Sequence, residues 1–140
     1  MRLTQFSDFA LRLLIHIASH PDRRTTIAEA AQVYGISRHH LMKVAHRLAL
    51  AGLVKPSRGR NGGLNLARPA EAISLGDVLR ATEPDFALVG CMAGHACPIV
   101  TTCRLPAALD AAMASFLATA DQHMLAGFVG PPASAPLQSG

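Results

Sequence analysis

Tryptophan is missing from this 140-residue chain, and aromatic residues amount to only 4% although half of the sequence is apolar by type. No apolar run approaches the roughly eighteen residues that a membrane span requires. The opening MRLTQFSDFALRLL breaks up its apolar residues with polar ones and lacks the plain core of a signal peptide. These two absences predict a cytoplasmic protein with no membrane partner. Catalytic signatures are absent as well: the chain has no Ser/His/Asp order and no H-E-x-x-H. Its glycine-rich RGRNGG also lacks the G-x-x-x-x-G-K-[ST] order of a phosphate loop. A non-enzymatic role is expected. Cysteine is scarce: there are three, Cys91, Cys97 and Cys103, all in one segment. An odd, clustered set suits a metal or redox site better than a secreted disulfide scaffold.

The length allows one compact domain, or a small domain with an appendage, able to fold alone or as a dimer. The net charge of +4 conceals a division. Residues 1–70 carry eleven Lys+Arg against three acids, a net of +8; residues 71–140 carry two arginines against six acids, a net of −4. A solvated basic surface accounts for charge alone, whereas a nucleic-acid reader joined to a sensing or pairing region accounts for the asymmetry.

The basic half reads as three helices and a hairpin. From Thr4 to about Ser19, Phe6, Phe9, Ala10, Leu13, Leu14 and Ile17 fall at helical spacing, and Pro21 ends the run. Thr26-Ile-Ala-Glu29 is a T-x-x-E capping box opening a short helix that stops at Gly35. Ser37 is a natural N-cap for SRHHLMKVAHRLALAG, which closes on Gly52. Leu41, Val44, Ala45 and Leu48 share one face of that helix, while His39, Lys43 and His46 project from the other, flanked by Arg38, His40 and Arg47. A short helix, a glycine turn and a helix with a basic outer face form a helix-turn-helix, whose second helix fits a DNA major groove. Ser37, Arg38, His39, His40 and Lys43 are therefore candidate DNA contacts. Next, Leu53-Val54-Lys55 and Leu64-Asn65-Leu66 read as short strands joined by a tip containing Asn61-Gly62, a hairpin-turn signal. Arg58 and Arg60 at that tip describe a wing suited to the minor groove.

The second half holds Ser74-Leu-Gly-Asp77, another capping-box pattern, which opens a helix to about Thr82 before Pro84. An irregular stretch follows, GCMAGHACPIVTTCRLP, with the spacing C-x5-C-x5-C. Pro106 opens a final helix predicted to run through Phe128 with the stripe Leu105, Leu109, Met113, Phe116, Leu117, Ala120 and Met124. At that length, on the order of 33 Å, it outreaches the small winged unit, and a symmetry mate is the simplest cover. The expected fold is mainly α: a winged helix-turn-helix with a small β-hairpin wing and a long C-terminal dimerisation helix. The expected divisions are 1–70 for DNA binding, 71–104 for the connecting helix and cysteine loop, 105–128 for dimerisation, and a disordered tail over 129–140.

Three thiolates with five-residue spacers suit an iron–sulfur cluster with a non-cysteine fourth ligand. His95, between the first two cysteines, leaves open a Cys3His zinc site, and buried metal-free thiols remain a further alternative.

Over roughly residues 1–128 the sequence resembles the Rrf-type family of dimeric winged-helix regulators. The likeness rests on MRLTQFSDFALRLL, SRHHLMKVAHRLALAGLV, RGRNGG, SLGDVLRATEP and C-x5-C-x5-C. It is most similar to that family's nitric-oxide-sensing repressors. The resemblance implies a homodimer on double-stranded operator DNA, with one iron–sulfur cluster per protomer, 2Fe–2S or 4Fe–4S, held by Cys91, Cys97 and Cys103. It further implies that nitric oxide attacks the iron, and that nitrosylation or loss of the cluster relieves repression of detoxification genes. Asp8 matches the place of a fourth ligand donated by the partner subunit; an acid in a helix's first turn is also favoured by the helix dipole. The family's regulators of redox or iron–sulfur status are the alternative. They carry a histidine three residues after the third cysteine, where this chain has Pro106.

Overall fold

The computed structural model describes residues 1–60 and 62–130. Five α-helices and one hairpin run in the order α1 (Gln5–Ala18), α2 (Ile27–Tyr34), α3 (Arg38–Leu50), β1 (Val54–Ser57), β2 (Gly63–Leu66), α4 (Leu75–Thr82) and α5 (Leu105–Ala120). This is the mainly helical winged-helix fold expected from the sequence.

Each early helix begins where a side chain can take an orphan backbone N–H. Thr4, Thr26 and Ser37 accept from the amides of Ser7, Glu29 and His40, respectively. The α2–α3 turn needs a left-handed residue and has Gly35 there, at φ 64°. The stripe on α1 (Ala10, Leu13, Leu14, Ile17) meets that on α3 (Leu41, Val44, Ala45, Leu48), and all eight residues are buried. The antiparallel hairpin pairs Val54 with Leu66 and Ser57 with Gly63, and sends Leu53, Val54 and Leu64 into the same core. Thr25 adds a bridge to Leu64 on the far side of β2. Asn61, part of the expected hairpin turn, lies outside the described residues.

The two capping boxes behave differently. At α4 the box is reciprocal: the Asp77 amide donates to Ser74 Oγ and the Ser74 amide donates to Asp77 Oδ2, both at 3.0 Å. At α2 only the Thr26 half forms, because the Glu29 carboxylate is taken by stronger donors. Arg23 spans its two oxygens at 2.6 and 2.8 Å, and His16 Nε2 lies 2.9 Å from Oε1. His16 is buried and has the Tyr34 hydroxyl 3.4 Å from its Nδ1. The group thus fastens α1, α2 and the segment between them. Arg23 first, then His16, hold the Glu29 carboxyl down at about 2, below its ordinary 4.5. A lowered folded-state value means stability that is complete above about pH 5 and is lost as pH falls toward 2. Glu29→Gln is therefore expected to cost on the order of 1.5 kcal/mol at pH 7, with the gap to wild type shrinking by pH 3. Urea unfolding at both pH values checks this, and an unchanged gap refutes it.

α5 is shorter than predicted. It ends at Ala120, about 24 Å after it begins. Asp121 then pairs with Arg80 of α4 at 2.5 and 2.9 Å. Met124 bridges Ser74, and the Leu125 amide donates to the Ile73 carbonyl at 2.7 Å. The gain is burial of Leu125, which is 1% exposed and which a continued helix would carry away from the core. Leu125–Phe128 form a 3-10 turn in place of the last turn of the predicted helix. Of the predicted tail, residues 131–140 lie outside the described residues. Among the described residues, no helix is long and apolar enough to cross a membrane.

Candidate nucleic-acid interface and cysteine loop

Ser37, Arg38, His39, His40 and Lys43 all sit on the first two turns of α3 and are all exposed. The structure sorts them. The His40 ring stands 6.2 Å from that of Phe9 on α1 and tilts against it. Arg47, about two turns further on, donates from Nε to the Ala81 carbonyl of α4 at 2.7 Å. That flank of α3 is occupied by the protein itself. Arg38, His39, Lys43 and His46 remain on the free surface, and among them stands Met42, 60% exposed. The sequence reading omitted Met42; its signal was its offset from the buried Leu41/Val44/Ala45/Leu48 stripe. Arg58 and Arg60 are exposed at the hairpin end, next to Gly59 at φ 106°.

The last turn of α4 is a junction. Ser7 Oγ and Thr82 Oγ1 share a buried hydrogen bond of 2.7 Å. The Thr4 amide and hydroxyl donate to Glu83 Oε1 at 2.8 and 2.9 Å. Burial opposes ionisation of Glu83, but hydrogen bonds from Ser7 and Thr4 outweigh it and hold the carboxyl below its usual range. With the Arg47 bond, three consecutive residues, Ala81, Thr82 and Glu83, engage α3 and the start of α1 just before the cysteine segment. No sequence pattern announces these contacts.

The cysteine segment is built from short turns. Gly90–Ala93 form a 3-10 turn closed by Gly94, and the His95 amide returns to the Gly90 carbonyl at 3.0 Å. The Cys103 amide donates to the Ile99 carbonyl at 2.8 Å. Between residues 93 and 105, every residue is exposed except Cys97 and Cys103, which are half-buried, as is Cys91. The three are free thiols. Among the described residues, no three His, Cys, Asp or Glu side chains are gathered as a site for a metal ion. His95 therefore completes no Cys3His set in this arrangement. Asp8 pairs with Arg12 one turn along α1 at 3.0 Å, both half exposed. The three cysteines are soft sulfur donors on one loop, each partly withdrawn from solvent.

α5 leaves most of its surface free. Only Ala120 is buried; Leu109, Met113 and Leu117 are half-buried, and Leu105 and Phe116 are 52% and 38% exposed.

Comparison with known proteins agrees with this architecture. The sequence pattern of the Rrf2 family, described as iron-dependent transcriptional regulator, matches residues 3–131. The fold is similar to that of CymR, the global cysteine regulator of B. subtilis, with TM-score 0.69 and 24% identity over 91% of this chain and 95% of that one. It is also similar to a Listeria innocua protein described as a transcriptional regulator (TM-score 0.73, 26% identity, covering 100% of this chain and 94% of that one). T. potens IscR matches with TM-score 0.72 and 23% identity over 100% of this chain and 94% of that one.

Proposed function

Because the chain belongs to the Rrf2 family of transcriptional regulators, we propose that it is a homodimeric repressor of the NsrR type, releasing operator DNA in response to nitric oxide. The observation that carries this reading is the partial burial of Cys97 and Cys103 in an otherwise exposed run, with Cys91, on a loop that starts beside the α4 junction holding α3. Cys91, Cys97 and Cys103 would hold an iron–sulfur cluster, one per protomer, with Asp8 of the partner subunit as a fourth ligand. When bound, the cluster supplies iron that reacts with nitric oxide. The chain's own part is to read DNA and to transmit. Arg38, His39 and Lys43, following the Ser37 cap at the start of α3, address the major groove, with His40 at its edge beside α1, and Arg58 and Arg60 address the adjacent minor groove. A displacement of the loop pulls on Ala81–Glu83, and through Arg47 and Thr4 reaches α3 and α1 together. Two recognition helices held at one half-site spacing lose operator affinity when that spacing changes.

A regulator of redox or iron–sulfur status is the second reading, favoured by the family's description as iron-dependent; Pro106, in place of a histidine, inclines us to nitric oxide. Anaerobically purified protein on a duplex selected from random DNA separates the two by fluorescence anisotropy. Stoichiometric release by nitric oxide, with oxygen and an iron chelator slower, supports the first. Release by chelator or oxygen alone moves the assignment to the second. Protein without sulfide and visible absorbance overturns both cluster readings.

The exposed cations of α3 and the hairpin give a further expected result. Lys43→Ala and Arg60→Ala should each weaken operator binding about tenfold, and each should lower the salt slope of log Kd by roughly one. The visible absorbance should be unchanged. A variant with wild-type affinity and salt slope removes that residue from the interface.

A further inference from the structure

Successive residues of an α-helix are offset by about 100°, so the surface that α3 presents can be located from what its flanks already touch. Leu41, Val44, Ala45 and Leu48 face the core. On one side of that stripe, His40 lies near the ring of Phe9 and Arg47 is bonded to Ala81. The surface left for a groove is accordingly turned to the other side, across Arg38, His39, Met42, Lys43 and His46. Met42 stands near its middle, in the second turn, where recognition-helix side chains meet base edges. Leu50, also exposed, sits at the far end of the helix.

Four neighbours of Met42 on this surface carry nitrogen donors, which serve phosphates and base acceptors. Met42 has no strong donor or acceptor and keeps 60% of its surface exposed, so neither packing nor a hydrogen bond within the chain accounts for it. In the major groove the apolar feature that distinguishes one base pair from the others is the thymine C5-methyl. The thioether side chain is unbranched and adapts its shape to such a contact. We infer that Met42 is a specificity-determining residue that reads a thymine methyl in each half-site. This rests on the DNA-binding reading above: the cations set affinity and register, and Met42 sets a preference for thymine at one position.

The test uses the full-length protein and the duplex it selects from random-sequence DNA, with each thymine replaced in turn by deoxyuridine. Loss of one methyl contact should weaken wild-type binding about fourfold, and roughly fifteenfold when both half-sites are changed. Met42→Ala should bind the thymine duplex more weakly and show no uracil penalty at that position, while Met42→Leu should retain the penalty. A flat uracil scan under tight wild-type binding overturns the inference and leaves DNA recognition standing. So does a penalty that Met42→Ala keeps, or a selected half-site with no fixed thymine. A wild-type protein that selects no duplex overturns the DNA reading itself, and the inference with it.

Discussion

Serine in place of Cys97 is expected to abolish both the visible absorbance of the anaerobically purified protein and the release of DNA by nitric oxide. The effect should be all-or-none rather than graded, because Cys97 is the middle donor of three and serine supplies no soft sulfur ligand. The fold should be indifferent. Cys97 lies in an exposed run of turns, and none of the three cysteines belongs to the buried cluster formed by α1, α3, the hairpin and α4. Far-ultraviolet circular dichroism and the urea midpoint should therefore match wild type, which separates loss of the donor from loss of structure. Iron and sulfide per chain, absorbance, and operator anisotropy before and after one equivalent of nitric oxide form the measurement. Wild-type nitric oxide response in a Cys97→Ser protein would falsify the sensor assignment, whatever its iron content.

Some of this molecule can be read directly from its residues. The helices of the winged unit are legible because burial repeats at helical spacing and each begins at a Thr or Ser that caps it, as Thr4, Thr26 and Ser37 do. The end of α5 was not legible. Ala120 to Phe128 contains no strong breaker before Gly127, and what stops the helix is distant in sequence: Arg80 takes Asp121, and the core takes Leu125. Glu29 misled for a related reason. A local pattern assigns its carboxylate to the α2 cap, but Arg23 and His16 compete for the same oxygens, and their geometry is tertiary. The cysteines announce themselves by type and spacing, yet the loop between Phe86 and Arg104 has no periodicity from which the direction of a side chain follows. Arg47, which the sequence leaves as one more surface cation, ties α3 to the junction that precedes this loop.

Phe116→Asp should convert the protein to a monomer in solution and lower operator affinity by about a hundredfold or more. A stable pairing surface buries on the order of 1,200 Å² or more, and among the described residues α5 carries a stripe of partly exposed apolar side chains that the proposed dimer would use. Leu105, Leu109, Met113, Phe116 and Leu117 lie along it with Ala120 alone fully buried. Phe116 lies outside the buried core cluster, so an aspartate there leaves the hairpin and the α1–α3 core in place. It does introduce a charge into any apolar contact between two copies of α5, which costs several kcal/mol unless a partner charge is present. The loss of affinity follows from geometry, since two half-sites bound through one dimer gain roughly 10² to 10⁴ over either alone. Light scattering gives the mass and anisotropy gives the affinity. A dimer of wild-type affinity in the Phe116→Asp protein places the pairing surface elsewhere. A monomer that still binds the full operator at wild-type strength shows that the two recognition helices are not held by α5, and removes the route by which the cysteine loop would change their spacing.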